Sequence, residues 1–194
     1  EGLPATLQAQ VSYFMEHRNT ILSCFRQFKS LKTQALRTRI HGDFHLGQVL
    51  YTGDNFIILD FEGEPESTLT ARKIKHSPLK DIAGMVRSFH YALYSTIVFN
   101  ARFQSIKDEV SDGWRQAIYL AIKGLYLHGY FETLGNHPIL PETETQIRAL
   151  LDLHTLEKAV YELGYELNGR PDWAIIPLKG IQYIVDGLEA THKT

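Results

Sequence analysis

The stretch HGDFHLGQVLYTGDNFIILDFEGEP, residues 41–65, decides how the rest of the chain is read. Val49-Leu50-Tyr51 and Phe56-Ile57-Ile58-Leu59 are short β-rich runs on either side of Thr52-Gly53-Asp54-Asn55. Two such runs around a Gly-Asp dipeptide predict a β-hairpin. With Gly53-Asp54 as the turn, Tyr51 faces Phe56, Leu50 faces Ile57 and Gln48 faces Leu59. Gln48 and Asp60 then lie side by side although twelve residues separate them. An amide oxygen and a carboxylate in that relation are hard donors of the kind magnesium takes. Asp43, five residues before Gln48, adds a second acidic group.

The order His41-Gly42-Asp43, then Gln48, then Asp60-Phe61-Glu62 resembles the catalytic core of the kinase-like phosphotransferases. In those enzymes His-x-Asp-x-x-x-x-Asn carries the catalytic Asp and one magnesium ligand, and a later Asp-Phe-Gly carries the other. The His-Gly-Asp form is similar to the aminoglycoside phosphotransferase branch. HGDFHLGQVL together with LDFEGEP most resembles the maltokinase family, which transfers the γ-phosphoryl of ATP to maltose and gives maltose 1-phosphate. Gln48 stands where the general pattern has Asn, keeping an amide oxygen on a longer side chain. Glu62 stands where it has Gly, adding a carboxylate. Further matches at His76–Met85, Tyr161–Leu163 and Asn168–Trp173 extend the resemblance over residues 39–182.

The resemblance implies a kinase-like carboxy-terminal lobe and assigns its residues. Asp43 would accept a hydrogen bond from the attacking sugar hydroxyl and take its proton. Gln48 and Asp60, with Glu62 as a further ligand, would hold Mg2+ against the phosphate oxygens of the co-substrate ATP. His41 would brace the catalytic loop by packing. His45 would either contact a phosphate or orient Asp43. Asp81 would brace the loop backbone, although a first-turn Asp is also favoured by the helix dipole alone.

A kinase-like enzyme also needs a glycine-rich strand-loop-strand and a Lys for the α- and β-phosphates. The residues before His41 hold one glycine, Gly2, and no G-x-G-x-x-G occurs in the chain. Their pattern is helical instead, with Leu7, Val11, Phe14, Ile21, Leu22, Phe25 and Phe28 near helical spacing. The expectation is therefore a single domain over residues 1–194 that is the carboxy-terminal lobe of a longer polypeptide. The missing partner is an amino-terminal nucleotide lobe of the same chain. A trehalose synthase is the fusion neighbour that the resemblance suggests.

Composition sets the outer bounds. The chain has 194 residues and a net charge of −2, with no general attraction to nucleic acid or to an anionic membrane. No apolar run approaches the ~20 residues of a membrane span. The single cysteine, Cys24, excludes an intrachain disulfide and suits a reducing cytoplasm. Its apolar neighbours predict burial rather than reactivity.

Helices dominate the remainder, so the fold is expected to be mainly α with one small β-hairpin. A loop over residues 63–77 carries Pro65 and the basic residues Arg72, Lys73 and Lys75, which read as a solvated surface. Ser77-Pro78 predicts a helix start with Ser as N-cap. Ile82, Val86, Phe89, Leu93 and Ile97 give that helix its buried face. A second helix is predicted over 114–134, with Ile118, Ile122 and Leu125 inward and Gly135-Asn136 ending it. A third is predicted over 142–167, closed by Asn168-Gly169, within a carboxy-terminal segment running to residue 185.

On that last helix Leu153, Leu156, Val160, Leu163 and Leu167 form an apolar stripe. His154, Lys158, Tyr161 and Tyr165 form a second stripe beside it. Aromatic faces with a charged donor suit a pyranose ring, which makes Lys158, Tyr161 and Tyr165 candidate sugar contacts. The same residues are common at core margins. Arg170 and Trp173 either close that pocket or lock the following turn.

Three other readings compete. His41-x-Asp43-x-His45 could be a zinc cluster of a metal-dependent hydrolase. The acceptor could be another hydroxylated molecule, such as an aminoglycoside or choline, although a polycation needs an acidic pocket. The chain could also be a non-catalytic assembly lobe, against which the intact Asp43, Gln48 and Asp60 set counts.

Overall fold

The computed structural model describes residues 5–30, 32–64, 68–99 and 108–191. Its elements run α1 (Ala5–Glu16), α2 (Arg18–Ser30), β1 (Val49–Tyr51), β2 (Phe56–Ile58), α3 (Leu69–Lys73), α4 (Leu79–Phe99), α5 (Asp108–Leu134), α6 (Glu144–Gly169) and α7 (Ile175–Thr191). Mostly helical with one two-stranded sheet, this is the expected architecture. No described helix is long and apolar enough to cross a membrane.

The hairpin forms in the register that the sequence predicts, Val49↔Ile58, Leu50↔Ile57 and Tyr51↔Phe56. Gly53, at φ 105°, takes the first central position of the turn, where a positive φ is needed and glycine costs least. Exposed Leu50, Tyr51, Phe56 and Ile57 leave this sheet apolar on both faces.

The core lies where α6 and α7 meet α1 and α2. Leu156, Ala159, Ile181 and Val185 are fully buried, with Leu7, Ile21, Leu163 and Leu178 around them. Each Leu, Ile or Val among them stabilises the fold by about 1.5–3 kcal/mol through burial. Cys24 packs on this cluster half-buried, and burial pushes its thiol pKa up. Phe14 and Phe25 join it, Val11 and Leu22 stay exposed, and the Phe28 side chain lies outside the described residues. A second cluster, Ile82, Ala83 and Leu151 with Tyr126, Leu127 and Tyr130, ties α4 to α5 and α6.

Helix α4 begins as its caps predict: the Ser77 hydroxyl accepts the Leu79 N–H at 3.3 Å, after Pro78 in the first turn. Ile82 and Val86 are buried, Phe89 meets the Tyr126 ring edge-on, and the Ile97 side chain lies outside the described residues.

Four details differ from the sequence reading. Helix α5 starts at Asp108, six residues before the predicted Trp114, and turns Ile118 and Leu125 outward at 42% and 74% exposure. Its buried positions are Arg115 and Tyr119, because apolar residues lie all round this helix and periodicity alone chose the wrong face. Helix α6 runs through Asn168-Gly169 and is closed by Arg170, whose N–H reaches the Glu166 carbonyl at 2.7 Å. Leu167 is exposed rather than part of the buried stripe. The loop after the hairpin contains the short α3, whose N-cap Thr68 accepts from the Ala71 N–H, while Pro65 lies outside the described residues.

Candidate active site

The site grows from the hairpin. Past the strand ends, the Leu59 N–H donates to the Gln48 carbonyl at 2.9 Å and so extends the pairing. The Gln48 side chain then donates through Nε2 to Asp60 Oδ2 at 3.1 Å. Asp60 has φ 59°, the one non-glycine residue with positive φ among those described. A left-handed Asp is uncommon and persists where its surroundings demand it, often at functional sites. Gln48 keeps its amide oxygen and Asp60 its second carboxylate oxygen, hard donors that fit magnesium.

Beside the hairpin, the His41–Phe44 loop is held from behind by α4. The Asp81 carboxylate accepts the His41 N–H at 2.7 Å and the Gly42 N–H at 2.9 Å. Burial raises the Asp81 pKa, with the two N–H bonds opposing that rise. The buried His41 ring donates from Nε2 to the Leu59 carbonyl at 2.7 Å and leaves Nδ1 facing the Asp43 N–H at 3.4 Å. Gly84 of α4 lets the Phe44 carbonyl approach so closely that a Cβ there would sit 2.6 Å from its oxygen. His45 accepts the Gly47 N–H on Nδ1 at 3.0 Å and turns Nε2 toward Asp43 Oδ2 at 3.6 Å.

Helix α6 completes the site from across the cleft. Lys158 Nζ donates to Asp43 Oδ1 at 3.1 Å and to Glu64 Oε2 at 3.2 Å. The Tyr161 hydroxyl donates to Glu64 Oε1 at 3.1 Å, and its ring lies 5.0 Å from Lys158 Nζ. The His45 contact and then the Lys158 charge hold the Asp43 carboxyl well below the usual carboxylate range, against the opposing pull of burial. Burial pulls the Lys158 ammonium down, but the charges of Asp43 and Glu64 outweigh it and raise the pKa. These groups line a cleft of about 280 Å3 whose far wall carries His76, Lys80 and Glu157. His154 bonds Glu157 at 3.1 Å, and this contact foremost brings the Glu157 pKa down to about 2.

The structure thus brings together Asp43, His45, Lys158 and Tyr161, and separately pairs Gln48 with Asp60. His41 and Asp81 lie directly behind them. Glu62 is exposed on the turn after Phe61. Tyr165 is 53% exposed and does not line the cleft with Lys158 and Tyr161. Arg170 and Trp173 lock the turn instead: Arg170 binds Glu166 through Nε at 3.0 Å and Nη2 at 2.7 Å, with its guanidinium 4.5 Å from the Trp173 ring. The sequence reading missed Glu64, which neutralises Lys158 and anchors Tyr161. No local signal could have found it, because both its partners come from α6. Against a zinc cluster at His41, Asp43 and His45, both His41 ring nitrogens face backbone partners, the Leu59 carbonyl and the Asp43 N–H, and among the described residues no group of three or more His, Cys, Asp or Glu side chains is placed to hold a metal.

No family model matches the sequence. The chain is similar to the glucosamine kinase of Mycolicibacterium smegmatis (strain ATCC 700084 / mc(2)155), 26% identical over 147 residues that are 75% of this chain and 34% of the relative. It is also similar to the glucosamine kinase of Streptacidiphilus jiangxiensis, 25% identical over 138 residues, 71% of this chain and 29% of the relative. Among solved structures, a glucosamine kinase in complex with glucosamine, ADP and inorganic phosphate superposes with a TM-score of 0.75 at 21% identity, over 91% of this chain and 39% of that one. Crystal form A of a glucosamine kinase gives 0.79 at 20% identity, over 96% and 43%. The chain spans about a third of the length of the curated relatives it matches, and over nearly all of its own length it has the fold of part of the glucosamine kinase structures.

Proposed function

We propose that this chain is the catalytic lobe of an ATP-dependent sugar kinase, completed by polypeptide outside it that covers the nucleotide. The carrying observation is Asp43, kept anionic in a cleft by His45 and Lys158, in a loop that His41 ties to the hairpin strand leading into the Gln48–Asp60 pair. The glucosamine kinase relatives and the shared fold support phosphoryl transfer to a sugar.

Phosphoryl transfer needs alignment and charge neutralisation more than covalent help from the protein. A sugar hydroxyl entering the cleft would hydrogen-bond to the Asp43 carboxylate, which aims an oxygen lone pair at the γ-phosphorus. As the new O–P bond forms and the β,γ-bridging bond breaks, the hydroxyl proton passes to Asp43 and ADP leaves. Asp43 is a weak base, which suits a loose transition state in which the proton moves late. Gln48 and Asp60 would hold Mg2+, which when bound neutralises phosphate charge. Glu62, close in sequence, is a further candidate ligand.

Maltose is the acceptor we favour, on the sequence resemblance and on one feature of the cleft. Both Glu64 oxygens are engaged, by Lys158 and by Tyr161, and Lys158 also sits on Asp43. An aminosugar needs a free carboxylate for its ammonium, and a fixed cation there opposes it. Glucosamine is the alternative, favoured by the names of the relatives. The test is ADP release by the full-length parent with magnesium, ATP and either maltose or glucosamine, beside an Asp43→Asn variant. Turnover stimulated by one sugar and lost in the variant establishes the reaction and names the acceptor. Silence with every acceptor overturns the kinase reading in favour of an assembly lobe.

A further inference from the structure

The face of α6 opposite the cleft borders a larger cavity. Lys158 and Tyr161 point into the catalytic cleft, whereas Arg148 and Asp152, one turn apart on the other side of the helix, line a groove closed by α5 and α7. Its volume is about 1490 Å3. Lys123 enters it from α5 and lies 5.9 Å from the Tyr183 ring of α7, and Phe131 forms part of the wall.

Lys123 and Asp152 feel each other's charge across this groove without touching. Among the described residues, neither Lys123 nor Asp152 has an opposite charge within 4.0 Å. Burial pushes the Asp152 carboxyl up and pulls the Lys123 ammonium down, so both are costly where they stand. A fold needing only stability would pair them or replace them with apolar groups. A ligand carrying several hydroxyls would meet both at once, accepting from Lys123 and donating to Asp152. The rings of Tyr183 and Phe131 line the groove with them. An anion fits poorly, because the four carboxylates of the lining, Glu142, Glu144, Asp152 and Asp186, outnumber Lys123 and Arg148.

We propose that the α5–α6–α7 groove is a second binding site, separate from the catalytic cleft, for an uncharged saccharide. Lys123 and Asp152 are its polar contacts and Tyr183 is its stacking face. The inference does not rest on the kinase reading, since it uses no residue of the catalytic cleft.

The test is calorimetric titration of the protein with maltose and maltotriose, with inorganic phosphate and glycine as anionic and zwitterionic comparators, followed by hydrogen-exchange mapping. The expected result is saccharide binding that protects α5 and α7, weakened about tenfold or more by Lys123→Met or Asp152→Asn. Thermal melts separate this role from a structural one, because Lys123→Met should keep or raise Tm while it loses the ligand. Protection confined to residues 41–64 and the Lys158 face of α6 would overturn the proposal. So would unchanged affinity in both groove variants, a lower Tm for Lys123→Met with binding intact, or binding of phosphate or glycine in place of saccharide.

Discussion

Lys158 and Asp43 are joined by a 3.1 Å ion pair that spans 115 residues of sequence and ties α6 to the loop before the hairpin. The bond does two things. It fixes the cleft width between two elements that share no strand, and with the His45 contact it sets the charge of the acidic group on which the proposed chemistry depends. Asp43→Asn keeps the shape and removes the basic oxygen. Its kcat should fall by ~10²–10⁴-fold while the helical circular dichroism signal is retained. Unchanged turnover in a steady-state assay would dismiss Asp43 as the base.

The same contacts set a pH dependence. The Asp43 pKa is depressed in the fold, by His45 first and by Lys158 next. Its contribution to stability is therefore present above the ordinary Asp value and is lost as pH falls through the depressed one. The acid limb of kcat/KM should lie below the usual carboxylate range in the unaltered protein. Lys158→Met and His45→Ala should each move that limb upward, toward pH 4. A pH–rate profile measured on the three proteins decides it, and coincident limbs would show that neither contact tunes the base.

Gln48 and Asp60 meet at 3.1 Å across the hairpin edge, with Asp60 held at positive φ. If they hold magnesium, Asp60→Asn should raise the Mg2+ concentration for half-maximal activity by roughly 10–100-fold. The KM for the sugar should stay where it is. Removing magnesium with a chelator should abolish turnover and restoring it should recover activity. A variant whose Mg2+ titration matches the parent would remove the pair from the metal site.

How far these residues could be read from sequence depends on how local their geometry is. The hairpin was legible because a Gly-Asp turn fixes register, and register alone puts Gln48 beside Asp60. The Ser77-Pro78 start of α4 was legible for the same reason, since cap chemistry acts within one turn. Lys158 and Tyr161 were found as a helical stripe, but spacing along a helix does not say how far its facing cleft extends. Tyr165, one further turn along, therefore fell outside. Glu64 was missed because its partners come from α6, and no local pattern ties residue 64 to residue 158. The inward face of α5 was misread because Ile118 and Leu125 are apolar yet exposed, while Arg115 and Tyr119 are buried.

Close packing behind the loop gives a prediction that the active-site residues do not. Gly84 stands where a Cβ would come within 2.6 Å of the Phe44 carbonyl oxygen, a backbone atom that cannot rotate away. Gly84→Ala should push the His41–Phe44 loop off α4 and misplace Asp43. An ångström of displacement suffices to lower turnover by about 10²-fold. Circular dichroism should show the helices intact, because alanine is a better helix former than glycine. Full activity in this variant would mean that α4 does not position the loop.

Arg87 and Glu162 form the buried counterpart to the Lys158–Asp43 ion pair. Arg87 Nη2 donates to Glu162 Oε2 at 2.6 Å and Nε donates to the same oxygen at 3.1 Å, with the Arg87 side chain 1% exposed. This contact joins α4, which carries Asp81 and Gly84, to α6, which carries Lys158 and Tyr161, so both walls of the cleft depend on it. Glu162→Ala leaves an uncompensated guanidinium in the core and should cost about 3–5 kcal/mol, a fall in Tm of roughly 10 °C. Replacing both partners, as Arg87→Met with Glu162→Leu, should restore much of that loss because no charge is left buried. Thermal melts of the two variants distinguish the cases. If the double variant melts no higher than the single one, the pair contributes through packing at α4–α6 and not through its charge.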